Sequence, residues 1–256
     1  MRPIVAVDFE THKIGPRPNE YPPKPVGLAL YGDGVPKQYL AWGHPTENNC
    51  QKSAAKAKLK DLYRTHRVVF HNSKFDTEVA YEHFGLRIPS VDNYEDTLFL
   101  AFLNDPRSLD LGLKAVAENV LGILPQERDK LKEWILKTFE EATDKTWGEF
   151  ISQAPGQLVS QYAIGDVVRT YKLFKKLIKL ISDGGMMDAY QREKRLMPVL
   201  LKMESRGIRI DQRRLEKDVV IWRNQASLLE RYISEPLGKQ RLDRLQPLDI
   251  QKVYGE

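Results

Sequence analysis

At 256 residues, 41% hydrophobic and 29% charged, the chain can bury a full core as one large domain or as a domain plus a smaller one. Its single cysteine, Cys50, excludes an internal disulfide. No apolar run approaches the ~20 residues of a membrane span and no N-terminal stretch has signal-peptide form, so a soluble protein that touches no membrane, cytoplasmic or otherwise intracellular, is expected. The net charge of +5 is uneven, with 15 Lys/Arg against 10 Asp/Glu in residues 190–256 and 25 against 25 before them, a pattern that fits a polyanionic partner and equally fits long solvated helices.

Residues 3–9, PIVAVDF, read as an apolar strand. Asp8 and Glu10 stand two residues apart at its end, so in an extended strand they share a face. They repel each other unless something cationic sits between them. In isolation such a pair also fits one carboxylate capping a turn and the other facing water. The proline-rich stretch GPRPNEYPPKP (15–25) is a loop. VGLALYG (26–32) and VPKQYLAW (35–42) flank Asp33-Gly34, a hairpin signal. A polar helix over 51–65 and a short strand, RVVFHN (67–72), follow.

From Ser73 onward helical periodicity dominates, over 74–84, 95–104, 109–121, 126–142 and 155–182. Asp76 lies four residues past Asn72 at the start of the first of these helices. Ser73-x-x-Asp76 also matches a capping box, with Asn72 or Ser73 as the cap. Tyr162 and Asp166, at i and i+4, share one face of the last. SDGGMM (182–187) breaks the chain, and a domain boundary is expected there, giving units 1–183 and 184–256. Beyond it 188–205 and 212–234 read as amphipathic helices joined by RGIRID. Strands first and helices after imply an α/β layer with helices packed on the sheet.

Taken together, a strand-borne D-x-E, an N-x-x-x-D after a strand and a Y-x-x-x-D in a late helix, in that order, resemble the three motifs of the DEDD 3′–5′ exonucleases. Tyrosine four residues before the last aspartate resembles the tyrosine-type branch; Gln161 stands where the histidine-type branch has histidine. YEDTLFLAFLNDPRSLDLGLKAVAENVLG (94–122) and QREKRLMPVLLKMESRGIRIDQRRLEK (191–217) are similar to the proofreading domain of family A DNA polymerases and to the segment joining it to the thumb. LQPLDIQKVYG (245–255) resembles the following thumb only weakly, and no palm or finger motif is found.

The resemblance implies a ribonuclease H-like exonuclease fold, a mixed central sheet flanked by helices, followed by a small helical C-terminal extension. It implies metal-dependent 3′–5′ hydrolysis of DNA to mononucleotides, without polymerase activity in this chain. Asp8, Glu10, Asp76 and Asp166 would hold two divalent ions, Mg²⁺ or Mn²⁺, with Asp8 shared by both, Glu10 and Asp166 on the tighter one and Asp76 on the second. Tyr162 would orient the attacking water. Thr11, Ile14 and Asn72 would contact the terminal nucleotide. The expected partners are single-stranded or frayed 3′ ends of DNA and a polymerase domain, fused or encoded separately, with the chain itself a monomer. A ribonuclease D-like RNA exonuclease and a non-catalytic nucleic-acid-binding domain are the rival readings.

Overall fold

The computed structural model describes residues 2–124 and 126–237, with 126–129 and 233–237 as backbone alone; the thumb-like stretch 245–255 lies outside the described residues. Five strands, β1 (Ile4–Thr11), β2 (Pro25–Gly32), β3 (Val35–Ala41), β4 (Arg67–Phe70) and β5 (Tyr94–Asp96), form a mixed sheet in the order β3-β2-β1-β4-β5. β1 runs antiparallel to β2 and parallel to β4, and β4 is parallel to β5. The hairpin signal holds: Gly34 takes a left-handed φ of +72° between β2 and β3, which a residue without a Cβ adopts freely.

The two faces of β1 go to different helices, as its period of two requires. Val5, Val7 and Phe9 pack with Leu59 and Leu62 of α1 (Lys52–Thr65) and with Val79, Ala80 and Phe84 of α2 (Ser73–Phe84). Ile4 and Ala6 face the other way. Ile4 packs with Leu173, Leu177 and Ile181, and Ala6 with Val159, Ala163 and Val167, all on α6 (Gly156–Asp183). Continuing that alternation, Asp8 and Glu10 emerge on the α6 side. Helices α3 (Thr97–Asn104), α4 (Leu113–Leu121) and α5 (Gln126–Thr138) complete this layer.

Three expectations change. The helix expected from residue 95 begins at Thr97, because Tyr94–Asp96 pairs with β4 as a strand too short to carry a periodicity signal. Asp96 ends that strand and caps α3, accepting the Leu98 N–H at 2.8 Å. The helix expected over 126–142 stops at Thr138, and a 3₁₀ segment occupies Trp147–Gln153. The boundary expected at 183 is a turn inside a compact unit that runs from Met1 to Ser205; the second unit is Arg206–Glu256. Gly185 at φ +69° does end α6, with the Met186 N–H returning to the Ile181 carbonyl at 2.9 Å. The next helix, α7 (Met187–Arg206), then folds back into the core of the first unit.

What holds α7 is a buried polar network. Glu95 on β5 accepts from the Tyr190 hydroxyl at 2.8 Å, from Lys194 Nζ at 3.0 Å and from Arg67 at 2.7 Å. Tyr94 donates to the Lys194 carbonyl. Lys194 is 1% exposed, and removing one partner of a buried pair typically costs about 3–5 kcal/mol. Lys194→Ala should therefore lower the stability of the first unit by that order in urea unfolding, where a surface lysine would cost under about 0.5 kcal/mol. In the second unit α8 (Gln212–Leu237) is supported locally by an Arg214–Asp218 pair at i, i+4.

Candidate active site

The site forms where β1 and β4 part. Their pairing ends at Ala6↔Val69, and beyond it the Phe9 N–H is taken by Asp76 Oδ1 at 3.0 Å. Asp76 reaches that position through a sharp entry to α2. Asn72 adopts a left-handed φ of +71°, which asparagine tolerates better than most residues. The Asp96 carboxylate pins the bend, accepting the N–H of Asn72 at 3.2 Å and of Ser73 at 2.7 Å. The capping box expected at Ser73 is not formed: α2 has no side-chain cap, and Asp76 is spent on β1.

Tyr162 and Asp166 are delivered by α6, whose first residue needs no side chain. A Cβ on Gly156 would lie 2.6 Å from the Glu47 carbonyl, so glycine lets the helix start against the loop that follows β3, its N–H bonded to the Thr46 carbonyl at 3.0 Å. Ten residues on, nearly three turns, Asp166 is buried. Arg169, also buried, donates to Asp166 Oδ1 at 3.4 Å and to the Leu124 carbonyl at 3.1 Å.

One carboxylate oxygen each from Asp8, Glu10 and Asp166 lies within 4.8 Å of the others. Asp76 stands outside that triple, but its charge still acts on Glu10, and that of Asp8 on Asp76. Burial is the largest influence on the cluster, and mutual repulsion adds to it. Together they push the Asp8 carboxyl from an ordinary 3.8 up to about 7, and raise Glu10 and Asp76 well above the usual range. A set of oxygen donors that resists ionising alone fits a hard divalent cation such as Mg²⁺ or Mn²⁺. Burial, with Asp166 and Glu10 beside it, raises the Tyr162 phenol, so it stays protonated and acts as a hydrogen-bonding group. Its ring and that of Trp147 stand edge to face, with centres 6.0 Å apart.

Sequence reasoning missed the cation in this site. Lys114, near the start of α4, donates to the Tyr162 hydroxyl at 2.7 Å and to Asp166 Oδ2, with its ammonium 4.2 Å from the Tyr162 ring centre. A lysine in a first helical turn opposes the helix dipole, and that is the signal that marks it. His71 bridges the Thr97 hydroxyl at 2.8 Å and the Leu111 carbonyl at 2.9 Å, which fastens the loop leading to Lys114. Of the expected substrate contacts, Ile14 is 58% exposed, Asn72 is exposed, and the Thr11 hydroxyl bonds the His12 carbonyl at 2.9 Å.

Comparison with known proteins bears on this arrangement. A family model described as 3′–5′ exonuclease matches residues 2–182, a span that holds all four carboxylates and Tyr162. DNA polymerase DpoZ of Vibrio phage phiVC8 is 26% identical over 206 residues, covering 73% of this chain and 31% of that protein. The chain spans about a third of the length of the curated relatives it matches. The POL domain of Pol1 from M. smegmatis, in complex with DNA primer-template and dNTP, superposes with a TM-score of 0.61 at 19% identity, covering 98% of this chain and 36% of that one. Brucella melitensis NrnC with bound Mg²⁺ gives 0.55 at 16%, covering 80% and 86%. At such identities the structural likeness concerns the fold, the ribonuclease H-like exonuclease fold expected above. Among the described residues no helix is long and apolar enough to cross a membrane. The chain belongs to the 3′–5′ exonuclease family associated with DNA polymerases of family A.

Proposed function

We propose that the chain is a tyrosine-type DEDD exonuclease that removes mononucleotides from the 3′ ends of DNA, preferring single-stranded or frayed ends, as a proofreading domain does. The observation that carries this reading is the convergence of Asp8, Glu10 and Asp166 within 4.8 Å, beside Asp76 and a phenol that stays protonated. Asp8, Glu10, Asp76 and Asp166 would hold two divalent ions, Mg²⁺ or Mn²⁺. Bound there, the ions would supply Lewis acidity to the phosphoryl group and lower the pKa of the attacking water.

The chain's own residues do the rest. Tyr162, four residues before Asp166 on α6, presents a hydroxyl to the cluster and orients the water through it. Arg169 holds Asp166 from behind, and the Phe9 N–H fixes Asp76. Ile14, exposed on the loop after β1, would press on the terminal base, and Thr11 and Asn72 would contact the terminal nucleotide. The match of phage DNA polymerases over 73–75% of this chain would make a polymerase domain, in the same chain or another, the natural supplier of frayed ends.

The test compares 3′-labelled DNA and RNA oligonucleotides of one sequence, each single-stranded, blunt-paired and mismatched at the end. Extracting a paired end from its stack costs a few kcal/mol, so mismatched DNA should be shortened at least about tenfold faster than matched DNA. Faster cleavage of RNA than of DNA would favour the ribonuclease D-like reading. Equal rates on matched and mismatched ends would argue against a proofreading origin.

A further inference from the structure

Lys114 is the feature that the proposed chemistry does not use. Its ammonium occupies the carboxylate cluster: it donates to Asp166 Oδ2 and at 2.7 Å to the Tyr162 hydroxyl, and its charge acts on Asp8 and Glu10 as well. The other Asp166 oxygen is engaged by Arg169. Both oxygens of one intended metal ligand are thus held by cationic side chains. Arg169 is fixed by the Leu124 carbonyl and is 3% exposed. Lys114 differs, with a side chain that is 22% exposed and a flexible four-carbon stem.

We propose that Lys114 is a displaceable counter-ion that occupies Asp166 until substrate arrives, so that metal loading is coupled to the binding of a phosphate. The inference rests on the nuclease reading of this site and adds its order of assembly. A divalent ion entering the cluster meets a like charge within bonding distance of one of its ligands. The ammonium must leave Asp166 before that ligand is free. Tyr162 supplies the pivot, because the ammonium bonds its hydroxyl and lies over its ring, an arrangement that survives loss of the Asp166 contact. A phosphate oxygen of the bound 3′ end supplies the new acceptor. Each partner then favours the other reciprocally, as linkage demands. The same contact sets one positive charge beside three carboxylates that repel one another, those of Asp8, Glu10 and Asp166. Lys114 is a positioning residue in this account.

The experiment measures Mn²⁺ affinity directly, by the electron paramagnetic resonance of free Mn²⁺ at pH 8, with and without thymidine 5′-monophosphate. The proteins are the full chain and its Lys114→Met and Lys114→Arg variants. Lys114→Met should bind Mn²⁺ at least tenfold more tightly than wild type when no nucleotide is present. The nucleotide should tighten Mn²⁺ binding severalfold in wild type and leave Lys114→Met unchanged. Lys114→Arg, which keeps the charge, should bind as weakly as wild type. Equal or weaker binding by Lys114→Met in a chain whose wild type cleaves DNA would overturn the inference and leave the nuclease reading standing, as would Lys114→Arg matching Lys114→Met. Absence of both Mn²⁺ binding and cleavage in all three proteins would overturn both.

Discussion

Asp8→Asn should lose on the order of 10⁴-fold in the rate of 3′-end hydrolysis, about 5.5 kcal/mol at 1.36 kcal/mol per decade, and at the same time become more stable without metal. The two effects share one cause. Asp8 is a carboxylate that burial and Asp166 have raised to about 7. Above that pH the folded chain carries a charge that the site disfavours, while the unfolded chain carries it freely. Replacing it with a neutral amide of the same shape removes a penalty of a few kcal/mol at 1.36 kcal/mol per unit, worth several degrees in the metal-free melting temperature at pH 8. Tyr162→Phe keeps every carboxylate and removes one orienting hydroxyl, so it should lose only about 10²–10³-fold. Asp8→Asn that melts lower than wild type at pH 8 would mean that Asp8 is a structural group. Tyr162→Phe with wild-type rates would remove the tyrosine-type assignment.

The second large effect is the dependence of stability on metal and pH. The folded carboxyl of Asp8 titrates near 7 against 3.8 when unfolded, and Glu10 and Asp76 are raised in the same direction. The folded Asp8 carboxyl therefore holds more proton than the unfolded one between about pH 4 and 7. Stability from Asp8 is fully present below that window, falls across it, and is lost above it, and Glu10 and Asp76 act in the same direction. A metal ion reverses the sign, since it binds the ionised carboxylates and competes with protons. At pH 8, Mg²⁺ at 100 times its dissociation constant should add about 2.7 kcal/mol, a rise of roughly 5–10 °C for a chain of this size. At pH 4.5 the same addition should change little. The melting difference between wild type and Asp8→Asn, followed from pH 4 to 8 without metal, isolates the Asp8 contribution: it should be near zero at the low end and largest at the high end. A metal-induced shift that does not grow with pH would show that the ions bind elsewhere.

Much of this architecture could be read from the chain because it follows from period and punctuation. The alternation in PIVAVDF sets the face of Asp8 and Glu10, Asp33-Gly34 makes the hairpin, and the i, i+4 spacing aligns Tyr162 with Asp166. What could not be read depends on contacts distant in sequence. β5 is three residues long and exists because Tyr94–Asp96 lies along β4. The glycines at 184–185 end a helix in either reading; only the burial of Tyr190 and Lys194 against Glu95 assigns α7 to the first unit. Ser73 satisfies the local pattern of a cap, yet the Asp96 carboxylate takes its N–H from 23 residues away. Lys114 shows the same limit within the site, since its partners lie 48 and 52 residues further on.

The most direct measurement follows a single-stranded DNA oligonucleotide labelled at its 3′ terminus, incubated with the purified chain in Mg²⁺ and separately in EDTA. The account predicts that the label is released as a mononucleotide in Mg²⁺ and that no release occurs in EDTA. Undiminished release in EDTA, or internal cuts that free labelled fragments longer than one nucleotide, would contradict it.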